Sequence, residues 1–545
     1  MTTTLQKPQL ICSSFRNLCV RLTLLIFSGA VSMVTIAQQS QQSHELFDHY
    51  EFTTGTTNQQ TVLTGDYLGS ETAELAVTAI DDEGQRHLQL YGFDGRNWGQ
   101  LLDTTLRNDV LFIDTINIDG RDCLLTWAPG RLYWFDAESS TEHLLLEVPM
   151  EFQSTRELFL PHVDITRDVN QDGLDDLVMP GVDGFWISLQ SNDGSFNNLM
   201  LLGPPEPFQD ASTFDDDRRY SEVGINAQTV PAYLSRMHEV DFNRDGRGDL
   251  VFWNEDHFDV HFQDGRGQFS AQSERFTTDV AFTADGAYSF NFAFSDENMF
   301  RLITGMKART KRTALHSFLD MNGDGVADLL TQSIEGRSLL NQRGAYAVHF
   351  GTPTGNGLSF ATDPSLLLEP QANAEGGAPL GYSLGWLEDF DGDGQTDIGF
   401  GRVNTGVFGF FSAILLNSIS VEIEYYRIVD GVYPDTLNGS LRVRSDREFI
   451  IGGRGPFFPT ILLGDINGDS RADLLVGVHW DELQVYLGSE GSELLSPLPQ
   501  KLTVAMTANG EQDVRLVDLN NDRKKDLIIH HPNTEPQKLV VLLAR

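Results

Sequence analysis

One acidic turn, written six times, constrains this chain more than any other feature of it. The first three copies are Asp168-Val-Asn170-Gln-Asp172-Gly-Leu174-Asp-Asp176, Asp241-Phe-Asn243-Arg-Asp245-Gly-Arg247-Gly-Asp249 and Asp320-Met-Asn322-Gly-Asp324-Gly-Val326-Ala-Asp328. The others are Asp389-Phe-Asp391-Gly-Asp393-Gly-Gln395-Thr-Asp397, Asp465-Ile-Asn467-Gly-Asp469-Ser470-Arg471-Ala-Asp473 and Asp518-Leu-Asn520-Asn-Asp522-Arg523-Lys524-Lys-Asp526. Positions 1, 3, 5 and 9 carry a side-chain oxygen every time. A hard cation such as Ca²⁺ needs that layout, with a backbone carbonyl at position 7 filling the gap and a glycine at 6 permitting the sharp turn. An EF-hand would add an acidic ligand at position 12. Here that position is Met179, Phe252, Thr331, Phe400, Val476 or Ile529, and the flanks read as strands, which excludes it.

The turns recur 73, 79, 69, 76 and 53 residues apart, so the chain is an array of similar units. Two weaker copies lie upstream. Asp66 to Glu74 keeps the outer acids and loses the middle ligands, and the copy from Asp114 is scrambled further. Eight units emerge, the first two poor in metal ligands, with seven as the alternative count. Within a unit one short β-like run enters the turn (Ala314–Leu319) and a second leaves it. A third ends near Phe350-Gly351 or Leu487-Gly488, and a fourth, weaker run such as Gly357–Phe360 follows. Short strands at regular spacing predict four-stranded antiparallel blades of an all-β propeller, with the acidic loop between strands 1 and 2. The last unit stops after three strands, and Leu46–Phe52 is a spare one ahead of the first. Their pairing would close the ring and remove two open sheet edges.

A repeat array can absorb 545 residues as one domain, here 46–545. The formal charge of −40 argues against nucleic acid and anionic membrane surfaces as partners. Nineteen of the acids are the aspartates at positions 1, 3, 5 and 9 of the six turns. Lys7, Arg16 and Arg21 precede an apolar stretch from Leu22 to Ala37, and a polar Gln38–Ser43 follows. This predicts an export signal over 1–37 and a polar linker over 38–45. The alternative, an uncleaved anchor, asks for about 20 apolar residues. Cys12 and Cys19 fall in the signal, so Cys123 alone remains and no internal disulfide can form. Bound calcium is the natural substitute.

The six turns, each followed by Leu177, Leu250, Leu329, Ile398, Leu474 or Leu527, resemble those of the FG-GAP/VCBS repeat proteins, whose relatives include the integrin α-subunit propellers. The resemblance implies a β-propeller holding up to about six Ca²⁺ in its strand 1–2 loops. Carried over by position, the ligands are Asp168, Asn170, Asp172 and Asp176; Asp241, Asn243, Asp245 and Asp249; Asp320, Asn322, Asp324 and Asp328. The other three sets are Asp389, Asp391, Asp393 and Asp397; Asp465, Asn467, Asp469 and Asp473; and Asp518, Asn520, Asp522 and Asp526. The carbonyls of Leu174, Arg247, Val326, Gln395, Arg471 and Lys524 complete them. Ser470 and Arg523 depart from the turn glycine, and three cations at 523–525 crowd the last site.

Other motifs read as structure. Arg247-Gly248-Asp249 spells an integrin ligand, but Asp249 belongs to a metal loop. Gly381-Tyr-Ser383-Leu-Gly385 matches a nucleophile elbow and lacks the helix that must follow it. His530 and His531 are neighbours on a strand and point to opposite faces. The basic run Lys307–Arg312 and two insertions, about 203–233 and 282–312, are the places for specificity. No set of residues marks a catalytic centre. The expectation is an exported, non-catalytic binding or adhesion module for a glycan or protein, in the periplasm, on the surface or secreted from a bacterial envelope. A propeller-scaffold polysaccharide lyase or glycan hydrolase, or a scaffold subunit of an envelope complex, is the alternative.

Overall fold

The structure is a computed structural model. It describes residues 46–545 apart from 56–58, 71, 150–158, 182–183, 205–236, 255, 283–311, 336–342, 356, 369–378, 381–384, 405–417, 430–432, 434–438, 447–459, 491–493 and 508–512. The signal (1–37), the linker (38–45), the bulk of both insertions, Lys307 and Ser383 lie outside the described residues. Among the described residues no helix is long and apolar enough to cross a membrane.

Eight antiparallel sheets follow one another as eight propeller blades. Blade 1 is Gln60–Gly65, Glu74–Ile80, Arg86–Phe93 and Trp98–Leu106; blade 2 is Phe112–Ile118, Arg121–Ala128, Arg131–Asp136 and Thr141–Glu147. Blade 3 is Thr166–Arg167, Asp176–Gly181, Gly184–Gln190 and Phe196–Leu202; blade 4 is Met237–Val240, Asp249–Asn254, His257–His261 and Glu274–Phe276. Blade 5 is Arg312–Leu319, Asp328–Glu335, Arg343–His349 and Leu366–Leu368. Blade 6 is Gly385–Glu388 with Pro379–Leu380 beside it, then Asp397–Asn404, Ser418–Tyr426 and Gly439–Asp446. Blade 7 is Ile461–Gly464, Asp473–His479, Glu482–Tyr486 and Gln500–Thr503. Blade 8 takes Val514–Val517, Asp526–His531 and Gln537–Ala544 from the end of the chain and Phe47–Gly55 from its beginning.

That last pairing is the one expected from the spare strand. It runs antiparallel from Phe47 opposite Ala544 to Gly55 opposite Gln537. Lys538 to Glu51 (2.8 Å) and Arg545 to Asp48 add charge pairs along it.

Among the described residues the hydrophobic core falls into eight clusters, each shared by two blades. Blades 1 and 2 share Leu63, Leu90 and Leu124. Blades 4 and 5 share Phe242, Val260 and Leu329. The eighth cluster joins Val77 and Trp98 of blade 1 to Ile528 and Val541 of blade 8. Alternation along each strand sends successive side chains into the two seams that flank its blade.

Two expectations about strands need correction. Gly357–Phe360 is not a blade strand; it pairs with Gly351–Thr354 as a separate hairpin, and Leu366–Leu368 completes blade 5 instead. The weak copy from Asp114 is not a loop. Asp114 lies within a strand opposite Leu125, and the strands of that hairpin are joined by a two-residue turn at Asp119 and Gly120, both at positive φ (55° and 79°). Two left-handed residues suit the twist of a hairpin, and Asp-Gly is a pair that supplies them.

Candidate metal centres in the strand 1–2 loops

Each of the six acidic turns joins the first and second strands of its blade, in blades 3 to 8. Their folding follows from short side chains capturing nearby backbone N–H groups. The position-1 carboxylate closes the turn. Asp320 Oδ1 accepts from Gly323 (2.8 Å) and Asp324 (3.2 Å), and its Oδ2 accepts from Gly325 (2.8 Å). Asp168, Asp241, Asp389, Asp465 and Asp518 do the same with their own position 6, at 2.7–2.9 Å. The position-5 carboxylate accepts from the N–H of position 7: Leu174, Arg247, Val326, Gln395, Arg471 and Lys524.

Position 6 is left-handed in every loop, including Ser470 (φ 65°) and Arg523 (φ 70°), where side chains accept a conformation glycine takes freely. Position 4 is left-handed as well, at Gln171, Arg244, Gly323, Gly392, Gly468 and Asn521. Sequence reasoning missed that requirement. Its trace is glycine at position 4 in three of the six copies.

Position 9 is the deepest residue of the loop. Asp176, Asp249, Asp328, Asp397, Asp473 and Asp526 are all 0 % exposed. One oxygen accepts from position 2 of its own turn and the other from the end of the third strand. For Asp328 the donors are Met321 (3.0 Å) and Gly351 (2.8 Å); for Asp473 they are Ile466 (2.9 Å) and Gly488 (2.7 Å). The glycine that closes these third strands is there for room. A Cβ on Gly351 would sit 2.3 Å from the Ala327 carbonyl, and one on Gly488 would sit 2.7 Å from Arg471 Cβ. Burial, with neighbouring carboxylates of the same turn adding to it, raises these acids: Asp176, Asp328 and Asp397 to about 7, and Asp249, Asp473 and Asp526 to about 6.

The flanking apolar residues tie each loop into the core. Position 2 (Val169, Phe242, Met321, Phe390, Ile466 or Leu519) packs in the seam with the following blade. Position 10 (Leu177, Leu250, Leu329, Ile398, Leu474 or Leu527) packs in the seam with the preceding one. Backbone and amide bonds then link loop to loop. Gln263 Nε2 donates to the Asn170 carbonyl (2.7 Å), Lys525 N–H to the Asp465 carbonyl (2.7 Å), and Ala73 N–H to the Leu519 carbonyl (2.6 Å).

The side chains available to an ion are oxygen donors throughout, the donor chemistry a hard cation takes. Among the described residues Asp389, Asp391 and Asp397 bring one carboxylate oxygen each within 4.8 Å of one another. Cationic neighbours temper the charge. Arg247 pairs with Asp245, and Arg471 bridges Asp469 (3.0 Å) and Glu490 (2.6 Å). In blade 1, Glu74 stands where position 9 would be, 0 % exposed, accepting from Leu68 N–H (3.1 Å) and Ser70 Oγ (2.6 Å). No middle ligands accompany it.

Two of the remaining motifs lie on described residues and are buried. Asp249 of the Arg-Gly-Asp tripeptide is enclosed by Phe242 and Gln263 N–H groups. His530 and His531 are both buried, and burial lowers each to about 4. A buried polar cluster outside the loops surrounds Asp114. Asp114 accepts from Ile165 N–H (2.8 Å) and Thr166 Oγ1 (2.9 Å) and lies 2.8 Å from His162 Nε2, and Tyr67 and Asp164 join it in the field of Arg515. Asp114, His162 and Tyr67 are 4 %, 9 % and 2 % exposed, so the centre of the cluster is buried between blades. A shallow cleft of about 270 Å³ lies on blade 1, lined by Gln60, Val77, Ala79, His87, Gln89 and Asp103.

No protein-family model and no curated protein matches the chain. Among solved structures it is similar to Sqt1 of Saccharomyces cerevisiae (12 % identity, 91 % of this chain and 98 % of that one, TM-score 0.37). It is also similar to the WD40 domain of SCAP from fission yeast (8 % identity, 79 % and 96 %, TM-score 0.31). A third is a putative 6-phosphogluconolactonase from Bacteroides uniformis (13 % identity, 84 % and 97 %, TM-score 0.29). The eight-bladed architecture described above rests on the chain's own strand pairing.

Proposed function

We propose that this protein is an exported, calcium-stabilised propeller whose eight blades close into a ring, acting as a non-catalytic binding or adhesion module for a glycan or protein partner. The observation that carries the reading is the same acidic turn in six consecutive blades, each fixed by one buried aspartate and wedged between two seams. A bound Ca²⁺ would neutralise the carboxylates that each turn gathers. The residues at positions 1, 3, 5 and 9, with the position-7 carbonyl, would hold it. The chain itself supplies the rest: position 2 and position 10 transmit the order of the loop to the neighbouring blades, a role a disulfide-free exported protein must fill somehow. Ring closure is supported by the pairing of Phe47–Gly55 with Gln537–Ala544 and by the core shared between blades 1 and 8. In antiparallel blades the acidic loops and the connections between blades leave from opposite ends of the strands. The cation face and the long connections, where partner recognition belongs, are thereby separated.

Two measurements test this. Thermal unfolding in EDTA and in millimolar Ca²⁺ is expected to differ by 10 °C or more, on the order of what several linked sites contribute; identical curves would remove calcium from the reading. Incubation of the Ca²⁺-loaded protein with neutral and acidic polysaccharides, and with envelope extracts, is expected to give retention of an unaltered ligand. Release of shortened or unsaturated sugar products would transfer the assignment to a hydrolase or lyase.

A further inference from the structure

At position 3 the six loops are alike except in blade 6. Elsewhere position 3 is asparagine, whose Nδ2 donates to the position-5 carboxylate: Asn170 to Asp172 (3.0 Å), Asn243 to Asp245 (3.0 Å), Asn322 to Asp324 (3.2 Å), Asn467 to Asp469 (3.3 Å) and Asn520 to Asp522 (3.2 Å). Blade 6 has Asp391 in that place. A carboxylate has no N–H to give, so the exchange turns a donor–acceptor contact into two like charges. Asp391 cannot relieve this by reaching water, because its side chain is only 8 % exposed.

Two side chains stand in for the missing amide. Gln395 Nε2 donates to Asp393 Oδ2 at 3.0 Å. The Arg427 guanidinium lies against Asp391 Oδ2. Arg427 comes directly after the third strand and directly before Ile428, whose N–H is held by Asp397 Oδ1 at 2.9 Å. The buried anchor of the loop therefore fixes the backbone from which the guanidinium reaches in.

We propose that Arg427 is the built-in counter-ion of the extra carboxylate, and that it sets the cation affinity of the blade-6 loop. With it, Asp389, Asp391, Asp393 and Asp397 present a net charge of −3, equal to the three aspartates of the blade-5 loop, which has no basic residue; without it the charge is −4. This inference rests on the loops binding Ca²⁺. At a separation near 4 Å a unit charge changes cation affinity roughly tenfold or more, even at a high effective dielectric.

Calcium calorimetry and Tb³⁺ luminescence on the full chain, comparing wild type with R427Q, D391N and the double variant, decide it. R427Q is expected to strengthen one site of the set about tenfold, and to favour Tb³⁺ over Ca²⁺ there. D391N is expected to weaken one site by a similar factor, since the guanidinium then opposes the ion. The double variant recreates the asparagine pattern and should return that site to within about threefold of the others. Melting in EDTA gives a second readout: R427Q falls below wild type, and the double variant recovers. Unchanged or weakened binding in R427Q, with the other sites intact, overturns the counter-ion role alone. Absence of cation binding in the wild type overturns this inference together with the calcium reading.

Discussion

Asp328 and Asp324 sit four residues apart in one turn and do different work. Asp328 is enclosed and accepts from two backbone N–H groups, whereas Asp324 lies in the exposed part of the loop. Asp328→Ala is expected to cost roughly 2–5 kcal/mol with or without an ion, because it leaves two buried donors unpaired. Asp324→Ala is expected to cost little in EDTA and to lose most of the stabilisation that Ca²⁺ confers. Chemical denaturation of both variants with and without Ca²⁺ separates the acid that also anchors the fold from the one proposed only as a ligand. Equal losses under both conditions for Asp324→Ala would show that the turn needs no ion. The acidic turn itself was legible in the sequence because its side-chain types and spacing are local. The anchoring role of position 9 was not, since its second donor comes from 14 to 31 residues further on, as in Gln190 and Ile428.

At the scale of elements the loop and its two apolar neighbours behave as a rivet. Phe242 enters the seam with blade 5 while Leu250 enters the seam with blade 3. The strand Phe47–Gly55 does the corresponding task for the two ends of the chain. Deleting residues 46–55 would uncover the edge formed by Gln537–Ala544, including Val541 and Leu543, which face the core shared with blade 1. The expected outcome is a lower melting temperature and self-association through that edge, read by thermal unfolding and light scattering. A monomeric deletion variant with an unchanged transition would mean the strand is dispensable. The spare strand could be read because the last unit was one strand short. The hairpin of blade 5 could not, since Gly357–Phe360 and Leu366–Leu368 have the same local character and differ only in what lies beside them.

For the whole molecule the titrating groups predict how stability responds to pH. Six position-9 carboxyls are raised to about 6–7 by burial and neighbouring carboxylates. In ion-free protein their contribution is fully present below pH ~4 and is lost as pH rises through 6–7. His238, His316, His530 and His531 are lowered to about 4 by burial, so their effect has the opposite sign. They destabilise the fold as pH falls from ~6.5 toward 4, where the unfolded chain takes up protons that the folded chain refuses. In EDTA the two sets oppose each other and the profile between pH 4 and 7 should be shallow. With Ca²⁺ holding the carboxylates ionised, stability should instead drop steeply below pH 6.5. Melting temperatures across that range, with and without Ca²⁺, check both limbs; parallel curves would contradict it.

The sequence by itself determined the repeat, the strand–turn–strand grammar of each unit, the oxygen donors of the turns and the pairing of the chain's two ends, because each is a matter of local spacing and residue type. Only the tertiary structure decided how the units count and what each acid is for. Asp114 and Asp168 look alike in the sequence; one joins His162 between blades and the other closes an exposed turn. Arg427 lies 36 residues from Asp391 in the chain and beside it in the fold. Burial and charge pairing depend on neighbours brought together by folding, and no window along the chain contains them.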